Sequence, residues 1–228
     1  MNFELLAWQI STWAIPGLLA ITLHEAAHGY AARALGDPTA ERLGRISLNP
    51  LRHVDPVGTV LLPAALLLMN AGFLFGFAKP VPVDYRYFRN PRRAMVVVAA
   101  AGPAMNLLLA VIAAILYHAV ELVPELAQDW LADNLENALR FNVLLAVFNM
   151  LPIPPLDGGR VAVGLLPHGP AMRLAKIEPM GILIVMGLFL VLPMLSQPLG
   201  LAIDPARWLL MQPAIAVIKF ILTITGLT

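Results

Sequence analysis

The chain has no cysteine. That excludes disulfides and any metal site built on thiolates. Charge is also scarce: only 13% of the 228 residues are Asp, Glu, Lys or Arg, against roughly 25% in soluble domains. The formal net charge is +1. This argues against nucleic acid as a partner, because phosphate backbones call for a strongly basic face. No internal repeat or low-complexity tract is present. Residues 1–10 lack the basic start of a cleavable leader, so none is expected. What the chain does have is apolar surface: 59% of its residues are hydrophobic and its mean hydropathy is +0.77. The composition predicts an all-α polytopic membrane protein, a single domain over 1–228 with no room for a large soluble module.

A helix needs about 20 mostly apolar residues to cross a bilayer. Stretches 5–35, 57–78, 94–120, 138–151, 179–195 and 207–227 are candidates, which predicts about six transmembrane helices. The second is interrupted by Pro63, Gly72 and Gly76, and the fourth is short and ends in a proline cluster. Basic residues gather at 33–55, 79–93 and 160–176, whereas 121–136 carries Glu121, Glu125, Asp129, Asp133 and Glu136. The positive-inside rule places the basic loops in the cytoplasm and the acidic one outside. Loops 33–55 and 79–93 cannot both be inside if 57–78 crosses once. A short membrane-embedded β or re-entrant region between 40 and 90 is therefore expected, with extended pieces near 45–48 and 80–83. Such backbone is tolerated only where protein or a watery cavity covers it. An unpaired edge there would suit an extended peptide adding as a strand. In 121–136 the acidic residues and Leu122, Leu126, Trp130 and Leu135 recur at helical spacing, the pattern of an amphipathic helix with a solvated face.

The chemistry-bearing motif is His24-Glu25-Ala26-Ala27-His28. Residues i and i+4 share a helix face, so His24 and His28 can grip one zinc ion. Glu25 then stands beside it as a general base. Ionisable side chains inside an apolar helix are costly and point to function. A catalytic zinc takes a third protein ligand. The metzincin continuation is absent, since Ala31 and Ala34 occupy its glycine and histidine positions. That leaves His53, a carboxylate of the acidic loop, or Asp157. Asp157 follows Asn149-Met-Leu-Pro-Ile-Pro-Pro-Leu and precedes Gly158-Gly159. The prolines break the preceding helix, and the glycines permit close backbone approach. On local chemistry alone, Asp157 is equally readable as a helix cap.

The His24–His28 motif in an apolar helix, paired with Asn149-Met-Leu-Pro-Ile-Pro-Pro-Leu-Asp157-Gly158-Gly159, resembles the site-2 protease family of intramembrane metalloproteases. Gly44-Arg-Ile-Ser-Leu-Asn-Pro-Leu-Arg-His53, Ala78-Lys-Pro-Val-Pro-Val83 and Ala101-Gly-Pro-Ala-Met-Asn106 are similar to its small prokaryotic members, which lack PDZ and CBS domains. The resemblance covers roughly residues 20–165. It implies a six-helix enzyme of the cell membrane that cuts a transmembrane segment of a protein substrate. It implies Asp157 as third zinc ligand, and Asn149 as a residue that positions substrate or stabilises the oxyanion. With no appended regulatory module expected, control would come from a separate membrane protein or from substrate supply. Besides substrate, membrane lipid is the expected partner. Two other functions compete: a membrane zinc protease that cuts soluble or flanking segments, with Glu121, Glu125 or Glu136 as third ligand, and a non-enzymatic zinc-binding adaptor. Elsewhere, His53 reads as a loop histidine bonded to backbone, His118 and His168 as interfacial or turn residues, Asn106 as a bond between helices, and Arg92 and Arg93 as topology determinants.

Overall fold

The structure is a computed structural model that describes residues 3–53, 55–61, 79–196, 198, 201 and 203–227. Among these residues all regular structure is helical and no strand occurs. Within the expected re-entrant region 40–90, residues 54 and 62–78 lie outside the described residues; the pieces expected to be extended, 45–48 and 80–83, are described and form no β-strand.

Helix α1 spans Phe3–Ala34. It stops at Gly36, whose φ of +106° is open to glycine, and the amide of Asp37 donates to the carbonyl of Ala32 at 2.9 Å. Helix α2, Pro91–Tyr117, starts with a proline in its first turn and an Asn90 cap that accepts from the amide of Arg93. Helix α3 is Glu125–Asn149. Residues 125–136 of the acidic stretch and 138–149 of the apolar stretch after it are thus one helix, because no glycine or proline separates them; Glu121 precedes it in a separate turn before Pro124. Helix α4, Asp157–Leu165, is short. Stretch α5, His168–Ser196, is helical apart from a turn near Lys176, and α6 is Gln212–Thr225, which continues from Arg207 through a π turn.

Four of these stretches are long and apolar enough to cross a membrane: Glu4–Ala34, Pro91–Tyr117, His168–Ser196 and Arg207–Thr225. Their outer faces are apolar. Leu5, Ile10, Trp13 and Leu19 on α1 and Val97, Leu108 and Ile115 on α2 are exposed. In water such a surface would invite association; in a bilayer it is the solvated face. The protein is a membrane protein.

The inner faces are small. Ala110, Ala113 and Ala114 of α2 meet Leu139 and Val143 of α3 and Ala214 and Ile221 of α6. Lipid supplies no hydrophobic drive between helices, so close contact through small residues and interhelical hydrogen bonds hold them. At one end the Trp8 indole donates to Asp133 at 2.7 Å, the Trp130 indole to Ser11 at 3.0 Å, and the Asn137 amide to the carbonyl of Thr12 at 3.1 Å. One face of the acidic stretch is therefore packed on α1. At the other end Ala32 of α1 packs with Phe88, Ala94 and Val98 around the start of α2. The acidic and basic loops thus lie at opposite ends of the bundle.

The segment 79–84 carries no helix and no ladder, and side chains of α1 and of the turn that follows it pin it in place. The Val81 amide donates to Glu25 at 3.0 Å, and the Asp84 amide donates to the fully buried Asp37 at 2.7 Å. Pro80 and Pro82 have no N–H to offer. A Cβ at Gly29 would stand 3.0 Å from Ile46 and 3.3 Å from Val81, so both segments near α1 use the space a glycine leaves.

Candidate metal centre

His24 and His28 project from the same side of α1 toward α2, and Gly102 of α2 makes room for both rings. A Cβ there would lie 2.5 Å from His28 Nε2 and 2.6 Å from His24 Nε2. The third group arrives from α4. After α3 the chain turns back through 150–156 and lays Gly158 and Gly159 against its own backbone. A Cβ on either would run into residues 150–154. This fold-back sets Asp157 opposite the imidazoles.

The distances define a compact triangle. His24 Nε2 and His28 Nε2 are 3.1 Å apart, and Asp157 Oδ2 is 3.2 Å from the first and 3.4 Å from the second. His24 and Asp157 are buried, and the His28 side chain is 12% exposed.

Hydrogen bonds fix which ring nitrogen carries the proton. His28 Nδ1 faces the carbonyl of Val98 at 2.7 Å, which can only accept. His24 Nδ1 faces Asn106 Oδ1 at 2.6 Å. The orientation of the Asn106 amide is set in turn: its Nδ2 donates to the carbonyl of Ala20 at 3.2 Å and to Asn142 Oδ1 at 2.8 Å. Asn142 Nδ2 donates to the carbonyl of Ala138. Both Nδ1 atoms therefore carry the proton, and both Nε2 atoms present lone pairs to each other and to a carboxylate.

Three lone-pair donors at this spacing repel unless a cation lies among them. Zinc bonds of about 2.0–2.1 Å in a tetrahedral site put ligand atoms roughly 3.3 Å apart, which matches the triangle. His24, His28 and Asp157 form a group able to hold a metal ion, and imidazole and carboxylate are donors that zinc takes.

The other sequence candidates are placed elsewhere. Glu25 is next to the triangle and accepts the Val81 amide. Asn149 ends α3, and its amide donates to the carbonyl of Leu145 at 3.0 Å. His53 is buried and its Nε2 donates to the carbonyl of Ser47 at 2.8 Å. Glu136 pairs with Arg140. Glu121 and Glu125 are exposed at the acidic end. Sequence reasoning missed two contributors. Asn106 does bond between helices, but it also reaches His24, and Gly102 clears the space for the rings. The small-residue run Ala101-Gly-Pro-Ala-Met-Asn106 was the only signal for either.

A groove with a cavity of about 420 Å³ is lined in part by Val81, whose amide meets Glu25. Pro80, Val81 and Val83 line one side, and Met95, Pro154 and Val163 are also among its walls. Arg160 and Glu178 pair at 3.6 Å in its lining. Burial pushes the Tyr85 phenol, also in the lining, above its ordinary pKa. Arg92 holds the end of α4 by donating to the carbonyls of Gly164 and Leu166.

Over 176 residues the chain is 39% identical to "Putative zinc metalloprotease YwhC" of Bacillus subtilis, covering 75% of this chain and 77% of that one. It is 33% identical over 181 residues to the similarly named Rip2 of Mycolicibacterium smegmatis, covering 79% and 66%. Against Rip2 of Mycobacterium tuberculosis it is 33% identical over 143 residues, covering 62% and 52%. No family model matches the chain, and no solved structure matches it.

Proposed function

The chain belongs to the zinc metalloprotease family of these bacterial relatives, and on that premise we propose that it is an intramembrane endopeptidase of site-2 type. The observation that carries the proposal is the triangle of His24, His28 and Asp157 beside Glu25, inside a bundle whose outer faces are apolar. These three residues would hold one zinc ion. When bound, the ion supplies Lewis-acid chemistry, polarising a carbonyl and bringing the pKa of water toward ~7.

Glu25 takes a proton from the attacking water and passes one to the leaving amine. The water oxygen bonds to the carbonyl carbon, the C–N bond breaks, and the products are a carboxylate and an amine. The Val81 amide holds one Glu25 oxygen at 3.0 Å and so sets the direction of the carboxylate. Asn149 is assigned to substrate positioning or to the developing oxyanion. For either role its amide must leave the Leu145 carbonyl it now meets.

The substrate in this reading is a transmembrane segment of another protein, locally unwound, because a helix shields its own amides. The apolar groove between 80–83 and α4 receives the extended stretch. The protein sits as a multi-pass protein of the cell membrane, with its basic loops cytoplasmic and lipid around its outer faces. The apolar half of α3 adds a fifth crossing to the four spans. A separate membrane protein is the expected source of regulation.

The test is cleavage of a transmembrane reporter by the purified chain in proteoliposomes, with product masses mapping the cut. Cuts inside the apolar segment support the reading. Cuts confined to soluble flanks favour a juxtamembrane protease, and no cutting by the zinc-loaded protein favours an adaptor.

A further inference from the structure

At the basic end, away from the metal triangle, three cations line one cavity. Arg45, Arg52 and Lys79 surround a space of about 340 Å³ together with Leu43, Gly44 and Leu51. The two guanidinium groups are positioned by backbone carbonyls. Arg45 donates to the carbonyls of Arg52 and Lys79, and Arg52 donates to that of Gly44 at 2.6 Å. Gly44 turns the chain at a φ of +62°.

No carboxylate among the described residues pairs with any of the three. Glu41 is taken by Arg33 at 3.1 Å, and Asp55 accepts the amides of Val57 and Gly58. Carbonyl dipoles orient the guanidinium groups but do not cancel their charge. Two guanidinium groups and an ammonium lining one cavity without a counter-ion repel one another, and an anion entering the cavity relieves this. Guanidinium donors in fixed orientation match phosphate oxygens.

The apolar rim selects the source of that phosphate. Leu43 and Leu51 line the same cavity and are 63% and 80% exposed, and Leu48 nearby is 61% exposed. A free phosphate has no use for such a rim, whereas a lipid headgroup brings acyl chains to cover it. The loop also lies at the end where the basic residues collect, which faces the anionic leaflet under the positive-inside rule. We propose that Arg45, Arg52 and Lys79 form a binding site for the phosphate of an anionic phospholipid, with Leu43 and Leu51 in its glycerol and acyl region.

The full-length chain in detergent is titrated with phosphatidylglycerol, with phosphatidylcholine and with inorganic phosphate, and bound lipid is counted by native mass spectrometry. The wild type is expected to retain phosphatidylglycerol over phosphatidylcholine, with inorganic phosphate a poor competitor. Lys79→Gln and Arg52→Gln are each expected to weaken retention roughly fivefold, which is ~1 kcal/mol per basic residue near an anionic surface. Lys79 makes no side-chain bond among those described, so its loss leaves the loop intact even if Arg52→Gln disturbs the Gly44 turn. Arg173→Gln, on α5 and outside the cavity, is expected to change nothing. Equal retention of the two lipids, equal weakening by Arg173→Gln, or efficient competition by inorganic phosphate would each overturn the site.

Discussion

Nδ1 of His24 lies 2.6 Å from Oδ1 of Asn106, an atom whose orientation is set by the two bonds that the same amide donates to Ala20 and Asn142. The contact holds the His24 ring with its Nε2 lone pair toward the triangle. Outer bonds of this kind typically change metal affinity by about 10–100-fold when removed. Asn106→Ala is therefore expected to weaken zinc binding by that order in a competitive chelator titration, with helix content by circular dichroism unchanged. Unaltered affinity would remove Asn106 from the centre.

Gly102→Ala is the steric counterpart. The added methyl would meet both Nε2 atoms at 2.5–2.6 Å, so the rings or α2 must shift. Overpacking alone costs about 1–3 kcal/mol. The variant is expected to purify folded but with little zinc by elemental analysis. Full zinc occupancy would show that the rings stand further from α2.

Asp157→Ala separates the third-ligand alternatives. Loss of zinc, with Glu121→Gln, Glu125→Gln and Glu136→Gln keeping it, is the expected pattern. The opposite pattern would move the ligand to the acidic end of α3, away from the His pair.

Filling the groove tests where the substrate lies. Val163 is in the groove lining and outside the triangle. Val163→Phe is expected to raise KM for a transmembrane reporter while zinc content stays at the wild-type level. An unchanged KM would put the substrate on another face.

How much of this was legible in the sequence depends on distance along the chain. His24, Glu25 and His28 were legible because i and i+4 on one helix meet whatever the rest of the fold does. Asp157 was not singled out by local chemistry, since the fold-back of 150–156 that sets it opposite α1 is a tertiary event. It was the paired motifs of the family resemblance that pointed to it. Asn106 is 82 positions from His24, and no periodicity marks a partner that remote. The unity of α3 was obscured by its charges: Asp129, Asp133 and Glu136 read as a surface helix, whereas Asn134, Asn137 and Asn142 on the same helix are buried. The pieces 45–48 and 80–83 were expected to be extended within a β or re-entrant region; both run without helix and without a strand ladder. The side chains that pin the 79–84 segment, Asp37 and Glu25, carry no pattern that announces the contact.

The central claim is that Glu25 performs acid–base work beside a metal held by His24, His28 and Asp157. The most direct test compares wild type with Glu25→Gln in proteoliposomes, measuring zinc content and cleavage of a transmembrane reporter on the same preparation. Equal zinc with cleavage reduced by about 10²–10⁴-fold or more is the predicted result. Wild-type cleavage by the zinc-loaded variant would contradict the account.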